Sequence, residues 1–280
     1  MRSSLFAILV FFFASSALAG NGKRVLVYSG TGVCEGCPED IARELNAQGY
    51  DVQLADEHEI TLTKLKQFDL YIQPGGDDVA TVKRALRGTT AQGLDGFQAI
   101  QSYVSDGGHF LGLCLGAFMA DSSLEDDNTE NLHLIAAVAS PHAKTPKARL
   151  EYVDWQSIPT SLSGKTLAYF QDGPQFKLIE PERKQGTPTI LAKYGTNESI
   201  AAVMNSYGRG RAMAVGIHPE ATDDWLKEDH LKAAPEAVAK EQKIFLALVE
   251  TLLRETTKKY LPATVNSPNI DSHPGQATAK

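Results

Sequence analysis

The chain has 280 residues, of which 42% are hydrophobic and 22% charged, and its formal net charge at pH 7 is -7. These proportions are those of a globular protein, and the length suits one large α/β domain or two small ones. No run of Lys or Arg forms a basic patch. Nucleic acid is therefore not an expected partner, because phosphate binding needs clustered positive charge.

The N-terminal residues differ from the rest of the chain. Arg2 precedes an unbroken apolar run over residues 5–13, and Ala17-Leu18-Ala19 is a small-x-small cleavage site. This arrangement predicts a secretory signal peptide over residues 1–19. An uncleaved membrane anchor is the alternative, but a spanning helix needs roughly 20 apolar residues. We therefore predict a secreted or periplasmic protein with no membrane span after signal cleavage.

One α/β domain is predicted over residues 20–260, followed by a polar, disordered tail over 261–280. In the first half of the domain, short β-rich runs alternate with segments of helical period. The predicted strands are residues 23–28, 52–54, 68–72 and 110–113. The predicted helices are residues 38–48, 61–67 and 93–105. This alternation implies a mostly parallel central sheet with helices on both faces.

The second half of the domain is less regular. Its predicted strands are residues 149–155, 166–170, 189–193, 200–205 and 211–217. A long helix is predicted over residues 235–260. Loops 29–37, 73–78 and 112–118 each follow a predicted strand. Ligands of such sheets bind at the carboxyl ends of the strands, so we expect these loops to share one edge.

A nucleophile elbow is predicted at Gly112-Leu113-Cys114-Leu115-Gly116. The Gly-x-Cys-x-Gly pattern suits a sharp strand-to-helix turn, where the nucleophile has strained backbone angles and the glycines allow a close crossing. The N-terminus of the following helix favours a thiolate and can bind an oxyanion. The alternative is a buried structural cysteine that behaves as a small hydrophobe.

A candidate base and its partner follow another predicted strand, in His218-Pro219-Glu220. His218 could take the proton of the Cys114 thiol, and Glu220 could hold the other imidazole nitrogen. An ordinary loop histidine beside a surface glutamate is the alternative. Among the other histidines, His109 is the rival by position, because it precedes the elbow strand.

Three motifs in this order, namely Pro74-Gly75-Gly76, the elbow at Cys114 and His218-Pro219-Glu220, resemble the class I glutamine-amidotransferase-like superfamily. The resemblance implies a flavodoxin-like three-layer α/β fold with a mostly parallel central sheet. It implies that Cys114, His218 and Glu220 form a catalytic triad. By the same resemblance, the backbone N–H groups of Gly76 and Leu115 form the oxyanion hole.

A narrower resemblance is to the biotin–protein-ligase N-terminal-domain-like group. It is carried by residues 112–120, by the opening Val25-Leu26-Val27-Tyr28-Ser29-Gly30, and by Tyr169-Phe170-Gln171-Asp172-Gly173-Pro174. Glutamine-using members of the superfamily usually carry Gln shortly after the elbow glycine. Here Ala117 and Phe118 follow that glycine, which disfavours glutamine amidotransfer.

Four residues are candidates for substrate binding: Gly75, Asp77, Asp172 and Gly173. Asp77-Asp78 after the Gly-Gly loop could bind a cationic substrate group, although such pairs are often solvated turns or helix caps. Asp172 and Gly173 line the pocket by the family resemblance, whereas by sequence alone residues 171–174 form a turn.

Cys34 and Cys37 form a Cys-x-x-Cys pair that leaves Cys114 as the odd thiol. In an exported protein a structural disulfide between Cys34 and Cys37 is the favoured interpretation, and a redox-active pair at a helix N-terminus is the alternative. Two cysteines are too few for a structural zinc site, so no metal and no cofactor are predicted.

We therefore expect an exported cysteine hydrolase that acts on an amide or peptide-like bond of a small-molecule or peptide substrate. Two alternatives remain open from the sequence. One is a non-catalytic ligand-binding module on the same fold, since fold alone does not establish function. The other is a γ-glutamyl-hydrolase-like or peptidase-like enzyme.

Overall fold

The computed structural model describes residues 22–91, 93–122, 131–144, 147–159 and 161–254. The predicted signal peptide and the predicted tail both lie outside these residues. Within the described ranges, no helix has the length and the apolar character needed to cross a bilayer.

The first half of the described chain alternates strands with helices. Its strands are β1 (Arg24–Tyr28), β2 (Asp51–Ala55), β3 (Leu70–Gln73), the short β4 (Thr90–Ala91) and β5 (Leu94–Asp95), and β6 (His109–Leu113). Its helices are α1 (Cys37–Ala47), α2 (Leu62–Leu65), α3 (Val79–Gly88), α4 (Gly96–Ser105) and α5 (Leu115–Met119). Helix α3 has no counterpart among the sequence predictions.

The second half is richer in strands. They are β7 (Ala137–Pro141), β8 (Arg149–Trp155), β9 (Gly164–Phe170), β10 (Pro174–Leu178), β11 (Thr189–Tyr194), β12 (Ile200–Tyr207) and β13 (Gly210–Val215). Two helices follow, α6 (Asp223–Glu228) and α7 (Pro235–Leu253). The helix predicted over 235–260 ends at Leu253, because Arg254 has an extended backbone (φ -62°, ψ 127°). Strands β7 and β10 and helix α6 were not predicted.

Local sequence fixes where several helices begin. The Asp95 carboxylate accepts a hydrogen bond from the Gln98 N–H at 2.8 Å, and the Gln98 side-chain oxygen accepts one from the Asp95 N–H at 3.1 Å. This reciprocal capping box starts α4. The Asp78 carboxylate likewise accepts from the Ala80 N–H at 3.0 Å and starts α3. The cap interpretation therefore holds for Asp78.

Eleven of the described strands form a single sheet. Strands β2, β1, β3, β6 and β13 are neighbours in this order and run parallel. When these five are numbered by themselves along the chain, the order is 2-1-3-4-5, which is the flavodoxin-like order. Antiparallel strands β12, β11, β8 and β9 continue the sheet, and β10 and β7 branch from β12. The predicted α/β class is thus confirmed, and the irregular second half builds an antiparallel extension.

Helices cover both faces of the parallel strands. Val25 and Val27 pack in one core with α1 and α7, whereas Leu26 and Tyr28 pack in the other core with α2, α3, α4 and α5. Successive side chains of a strand point to opposite faces, which explains why β1 is apolar from Val25 to Tyr28, whereas its first residue, Arg24, is only partly buried. Each such fully buried side chain contributes about 1.5–3 kcal/mol to stability. These two cores give the three layers that were predicted.

The strand register aligns three chain segments at one edge of the sheet. Strand β6 lies between β3 and β13, with Gln73 opposite Gly112 and Val215 opposite Leu113. The strands run parallel, so the loops after Gln73, Leu113 and Val215 leave the sheet side by side. These loops carry the Gly-Gly motif, the elbow cysteine and the His-Pro-Glu motif.

Two glycines allow α5 to cross the sheet at backbone contact distance. A Cβ atom built on Gly116 would lie 2.1 Å from the Gln73 carbonyl oxygen, and one on Gly112 would lie 2.3 Å from the Gly116 carbonyl oxygen. Both neighbours are backbone atoms, which cannot rotate away as a side chain can. The close crossing therefore requires glycine at both positions.

We expect Gly116→Ala to lower the free energy of unfolding by about 1–3 kcal/mol, because the added methyl group overpacks α5 against the Gln73 carbonyl. Urea unfolding followed by circular dichroism measures this change. Gly88→Ala is the matched control, since a Cβ on Gly88 meets no atom within 4 Å. That variant should be neutral or more stable, by up to about 1 kcal/mol. Equal stability of the two variants would contradict the packing argument.

Candidate active site

Cys114 lies at the turn between β6 and α5. Its backbone angles are φ 47° and ψ -102°, a conformation that non-glycine residues rarely adopt. Its N–H donates to the Val215 carbonyl at 2.9 Å, which ties the turn to β13. Cys114 is a free cysteine with only 6% of its surface exposed. Such a strained residue, held by its surroundings, is what the elbow pattern predicted.

His218 and Glu220 form a buried pair directly after β13. The His218 Nδ1–H donates to Glu220 Oε1 at 2.8 Å, and the two side chains are 5% and 0% exposed. The other carboxylate oxygen, Oε2, has no hydrogen-bond partner among the described residues. The pair fixes the tautomer of the imidazole, so that Nε2 is the nitrogen available on the opposite side of the ring.

The surroundings of His218 favour its protonated form. Burial disfavours the imidazolium, but the charges of Cys114 and Glu220 and their hydrogen bonds outweigh burial and raise the pKa of His218 from 6.5 to about 10. An imidazolium beside a cysteine provides the positive charge that a thiolate nucleophile needs. His218 is placed and protonated as such a partner for Cys114.

Gly75 packs against both members of this pair. A Cβ built on Gly75 would lie 2.6 Å from Cε1 of the His218 ring and 3.5 Å from both His218 Nε2 and Cys114 Cβ. Any larger residue would displace the imidazole. The Gly75 position thus keeps His218 next to Cys114, and the residue itself is buried.

Two backbone N–H groups beside Cys114 are available to a ligand. Within the described chain, neither the Gly76 N–H nor the Leu115 N–H donates a hydrogen bond. The Leu115 N–H belongs to the first residue of α5, where a helix leaves its amides without intrahelical partners. These are the two donors that the family resemblance assigns to an oxyanion hole.

A backbone carbonyl also contacts the thiol. In its protonated form, the Cys114 thiol donates a hydrogen bond to the Gln171 carbonyl oxygen at 3.3 Å. Gln171 follows β9, whose last residues approach the site through a hydrogen bond from the His218 N–H to the Tyr169 carbonyl at 3.0 Å. The antiparallel part of the sheet thus contributes directly to the site.

Aromatic rings and a neighbouring helix support His218. The Tyr169 and Trp225 rings contact the imidazole edge-on, with centroid distances of 5.7 and 5.3 Å. The Trp225 Nε1–H donates to the Asp40 carboxylate at 2.6 Å, which links α6 to α1. These contacts hold the imidazole ring between aromatic neighbours and exclude water from it.

The cysteine and the histidine open into a cleft of about 380 Å³. Its lining residues come from loops after β1, β3, β6, β9 and β13 and from α6: Cys34, Glu35, Cys37, Gly76, Asp77, Cys114, Tyr169, Gln171, Asp172, His218, Trp225, Glu228 and Asp229. The loops 29–37, 73–78 and 112–118 therefore share one edge, as expected.

The four candidate substrate-binding residues do not lie in equivalent places. Asp77 and Asp172 line the cleft. Gly75 lies behind it against His218, and Gly173 packs on the backbone, since its Cβ would lie 1.8 Å from the Gly216 carbonyl oxygen. Both glycines act through packing in this structure, which permits the close approach of their loops.

A disulfide joins Cys34 to Cys37 at the mouth of the cleft. The same loop is hydrogen-bonded to the Gly-Gly loop: the Cys34 N–H donates to the Gly75 carbonyl at 3.2 Å, and the Asp77 N–H donates to the Gly32 carbonyl at 3.3 Å. The disulfide-bonded loop therefore supports the segment that carries the Gly76 N–H.

Sequence reasoning missed one wall of the cleft. This wall is formed by α6 and the residue after it, through Trp225, Glu228 and Asp229. Helix α6 has only six residues and no apolar periodicity from which it could have been predicted. Tyr169 and Gln171 belong to the segment that resembles the biotin–protein-ligase N-terminal-domain-like group, and neither was a candidate site residue. The position of that segment at the end of a strand was the available signal.

His109, the alternative candidate for the base, lies at the opposite end of β6 from Cys114. His109 is the first residue of β6, and Cys114 directly follows the last one. The length of the strand therefore separates the His109 imidazole from the thiol, and His109 cannot act as its base. Among the described residues, no group of three or more His, Cys, Asp or Glu side chains could hold a metal ion.

Comparison with known proteins supports the fold. Residues 23–136 match the family described as "Biotin-protein ligase, N terminal". The match includes the Gly-Gly loop and the elbow at Cys114, whereas His218 and Glu220 lie beyond it. No curated protein sequence matches the chain.

Solved structures with the same fold include a glutamine amidotransferase and PurLQS, both from Thermotoga maritima. The first is 18% identical, with a TM-score of 0.55, and the alignment covers 83% of this chain and 99% of that one. The second is 16% identical, with a TM-score of 0.55 and coverage of 82% and 99%. Both predicted resemblances are confirmed: the chain has the class I glutamine-amidotransferase-like fold, and its residues 23–136 resemble the N-terminal domain of biotin–protein ligases.

Proposed function

We propose that this protein is an exported cysteine hydrolase that cleaves an amide or peptide-like bond. The observation that carries the proposal is the juxtaposition of a strained, free Cys114 with the buried His218–Glu220 pair in one open cleft. The amidotransferase-like fold is consistent with chemistry at an amide carbonyl. The export part of the proposal depends on the signal-like N-terminus, and the Cys34–Cys37 disulfide suits an oxidising compartment.

In the first half of the reaction, the Cys114 thiolate attacks the carbonyl carbon and forms a tetrahedral oxyanion. The Gly76 and Leu115 N–H groups donate to that oxyanion. The imidazolium of His218 gives its Nε2 proton to the leaving amine as the C–N bond breaks. A thioester on Cys114 and a free amine result.

In the second half, neutral His218 takes a proton from a water molecule, whose oxygen attacks the thioester carbonyl. The C–S bond breaks, the acid product leaves, and the thiolate and imidazolium are restored. Glu220 does not exchange a proton in either half. It holds Nδ1–H in place and stabilises the imidazolium by its charge.

Glutamine amidotransfer is disfavoured within this proposal. Ala117 is fully buried in α5, and Phe118 follows it, at the positions where glutamine-using relatives carry a substrate-binding Gln. A γ-glutamyl-hydrolase-like or peptidase-like activity uses the same chemistry and differs only in the acyl group. It is therefore included in the substrate test.

Cys114→Ala should abolish turnover, by roughly 10⁴-fold or more, because no other group in the cleft can form the acyl-enzyme. Hydrolysis of a panel of aminocoumarin amides, including γ-glutamyl amides, measures turnover by fluorescence. Intact-mass spectrometry should detect a thioester adduct on the wild-type chain and none on the variant. Circular dichroism verifies that the variant remains folded.

His218→Asn is the companion variant and should lower turnover roughly 10²–10⁴-fold, because it removes the general acid–base group. Undiminished turnover by Cys114→Ala would rule out the mechanism. Saturable binding of an amide by the wild type and by Cys114→Ala alike, without hydrolysis by either, would instead favour a binding module.

We expect His218 to titrate near pH 10 in the folded protein, because Cys114 and Glu220 stabilise its charge. The native state then holds a proton that the unfolded state loses above about pH 6.5. The contribution of His218 to the free energy of unfolding should therefore fall as the pH rises from about 6.5 to about 10. NMR of labelled imidazole gives the midpoint, and His218→Asn is the control that should lose this contribution. A midpoint below 7 would contradict a cationic His218 at neutral pH.

Removing the disulfide should slow catalysis through the Gly-Gly loop. In Cys34→Ser/Cys37→Ser, we expect kcat to fall about 10-fold or more and KM to change little, because the loop that supports the Gly76 N–H becomes looser. Treatment of the wild type with a reductant should reproduce the effect. An unchanged kcat in the double variant would show that the disulfide does not position the loop.

A further inference from the structure

Five carboxylates line the cleft that contains Cys114 and His218. They come from four separate segments of the chain and are Glu35, Asp77, Asp172, Glu228 and Asp229. No Lys or Arg is present among the residues that line it. The floor of the cleft is formed by the buried Cys114 thiol and the buried His218 imidazole, and not by these carboxylates. The carboxylates determine its charge.

These negative charges are not neutralised by neighbouring cations. All five residues are exposed, and none of them forms an ion pair with a Lys, Arg or His of the described chain. Asp229 accepts a hydrogen bond from the Tyr169 hydroxyl at 2.5 Å. This hydroxyl is neutral, so it does not cancel the negative charge of Asp229. Their charge therefore acts on whatever enters the cleft.

The catalytic groups do not offset this charge. The imidazolium of His218 is paired with the Glu220 carboxylate at 2.8 Å, so it brings no unpaired positive charge into the cleft. Low-dielectric walls around a cleft lined by one sign of charge concentrate counter-ions and repel anions. An anionic substrate would therefore be opposed near the scissile bond.

Aromatic side chains in the same cleft add a second attraction for cations. Tyr169 and Trp225 both line it. The faces of aromatic rings attract ammonium and guanidinium groups, and Trp does so most strongly. Carboxylates combined with aromatic rings are a common environment for binding organic cations.

From this combination we infer that the substrate carries an ammonium or guanidinium group close to the amide bond that is cleaved. The inference rests on the proposed cysteine-hydrolase function and specifies its substrate class. All five carboxylates contribute to the preference by charge, and Glu35, Asp77 and Glu228 are the three chosen for substitution. For Asp77, the inference favours cation binding over the other interpretation that the sequence left open, a solvated turn or helix cap.

The charge of the cleft is tested first without turnover, by thiol modification. Three methanethiosulfonate reagents of similar size carry a trimethylammonium, a neutral or a sulfonate group. Mass spectrometry gives the rate of Cys114 modification by each, divided by the rate of the same reagent with N-acetylcysteine amide. We expect the normalised rate of the cationic reagent to exceed that of the anionic reagent by about tenfold or more at low salt.

Substitution of the cleft carboxylates tests whether they cause the difference between the cationic and anionic reagents. Glu35→Gln/Asp77→Asn/Glu228→Gln should lower the ratio of normalised rates by about threefold or more, because three of the five carboxylates lose their charge. The matched control is Glu180→Gln/Glu198→Gln/Glu236→Gln, which removes three charges from exposed positions outside the cleft. It should leave the ratio unchanged. A wild-type ratio near or below one, or an equal effect of both triple variants, would overturn the inference.

Matched substrates provide the second test. Lysyl, norleucyl and glutamyl aminocoumarin amides with acetylated α-amino groups differ only in the charge of the acyl side chain, and kcat/KM should decrease in that order. If turnover depends on Cys114 but kcat/KM is equal for the glutamyl and lysyl amides, the cation preference is overturned and the hydrolase proposal is not. Turnover that survives Cys114→Ala would overturn the hydrolase proposal, while the modification ratio still decides the charge of the cleft.

Discussion

The pairing of β6 with β3 on one side and β13 on the other is the constraint on which the site depends. It places Gln73, Gly112 and Ala214 at the same level of the sheet, so that three loops begin together. The close contact between α5 and β3 requires glycine at position 116, because a Cβ atom there would overlap the Gln73 carbonyl oxygen. The strained angles of Cys114 follow from this crossing, and the hydrogen bond from its N–H to Val215 holds them. Backbone packing alone thus fixes the place of the thiol.

The parts of the fold that sequence predicted are those that obey a local rule. Strand β1 is apolar from Val25 to Tyr28, and the Gly-x-Cys-x-Gly elbow has a steric reason that can be recognised in five residues. The His-Pro-Glu motif follows a strand, so its arrival at the same edge could be expected once a parallel sheet was assumed. Strand β10 and helix α6 are different, since neither has a periodic pattern of its own. They are set by pairing with β7 and by the contact of Trp225 with Asp40.

The antiparallel half of the sheet explains why the cleft has a closed side. Strand β9 lies at the far edge of the sheet order, yet its last residues bend back to the site, where Tyr169 is hydrogen-bonded to His218 and Gln171 contacts the thiol. The contact between Cys114 and Gln171 joins residues 57 positions apart in the chain. No local pattern encodes such a contact, which is why the sequence indicated the triad residues but not the wall behind them.

Two electrostatic environments meet in this cleft, and they act at different depths. At the floor, burial makes each charge costly unless it is paired, and the pairing of His218 with Glu220 and Cys114 satisfies that condition. At the mouth, the carboxylates are exposed and therefore need no partner. In the proposed hydrolase, the floor determines which bond is broken, and the charge of the mouth selects the substrate. Because the two sets of residues come from different loops, the exposed carboxylates can be neutralised without altering Cys114, His218 or Glu220, so that the two effects can be measured separately.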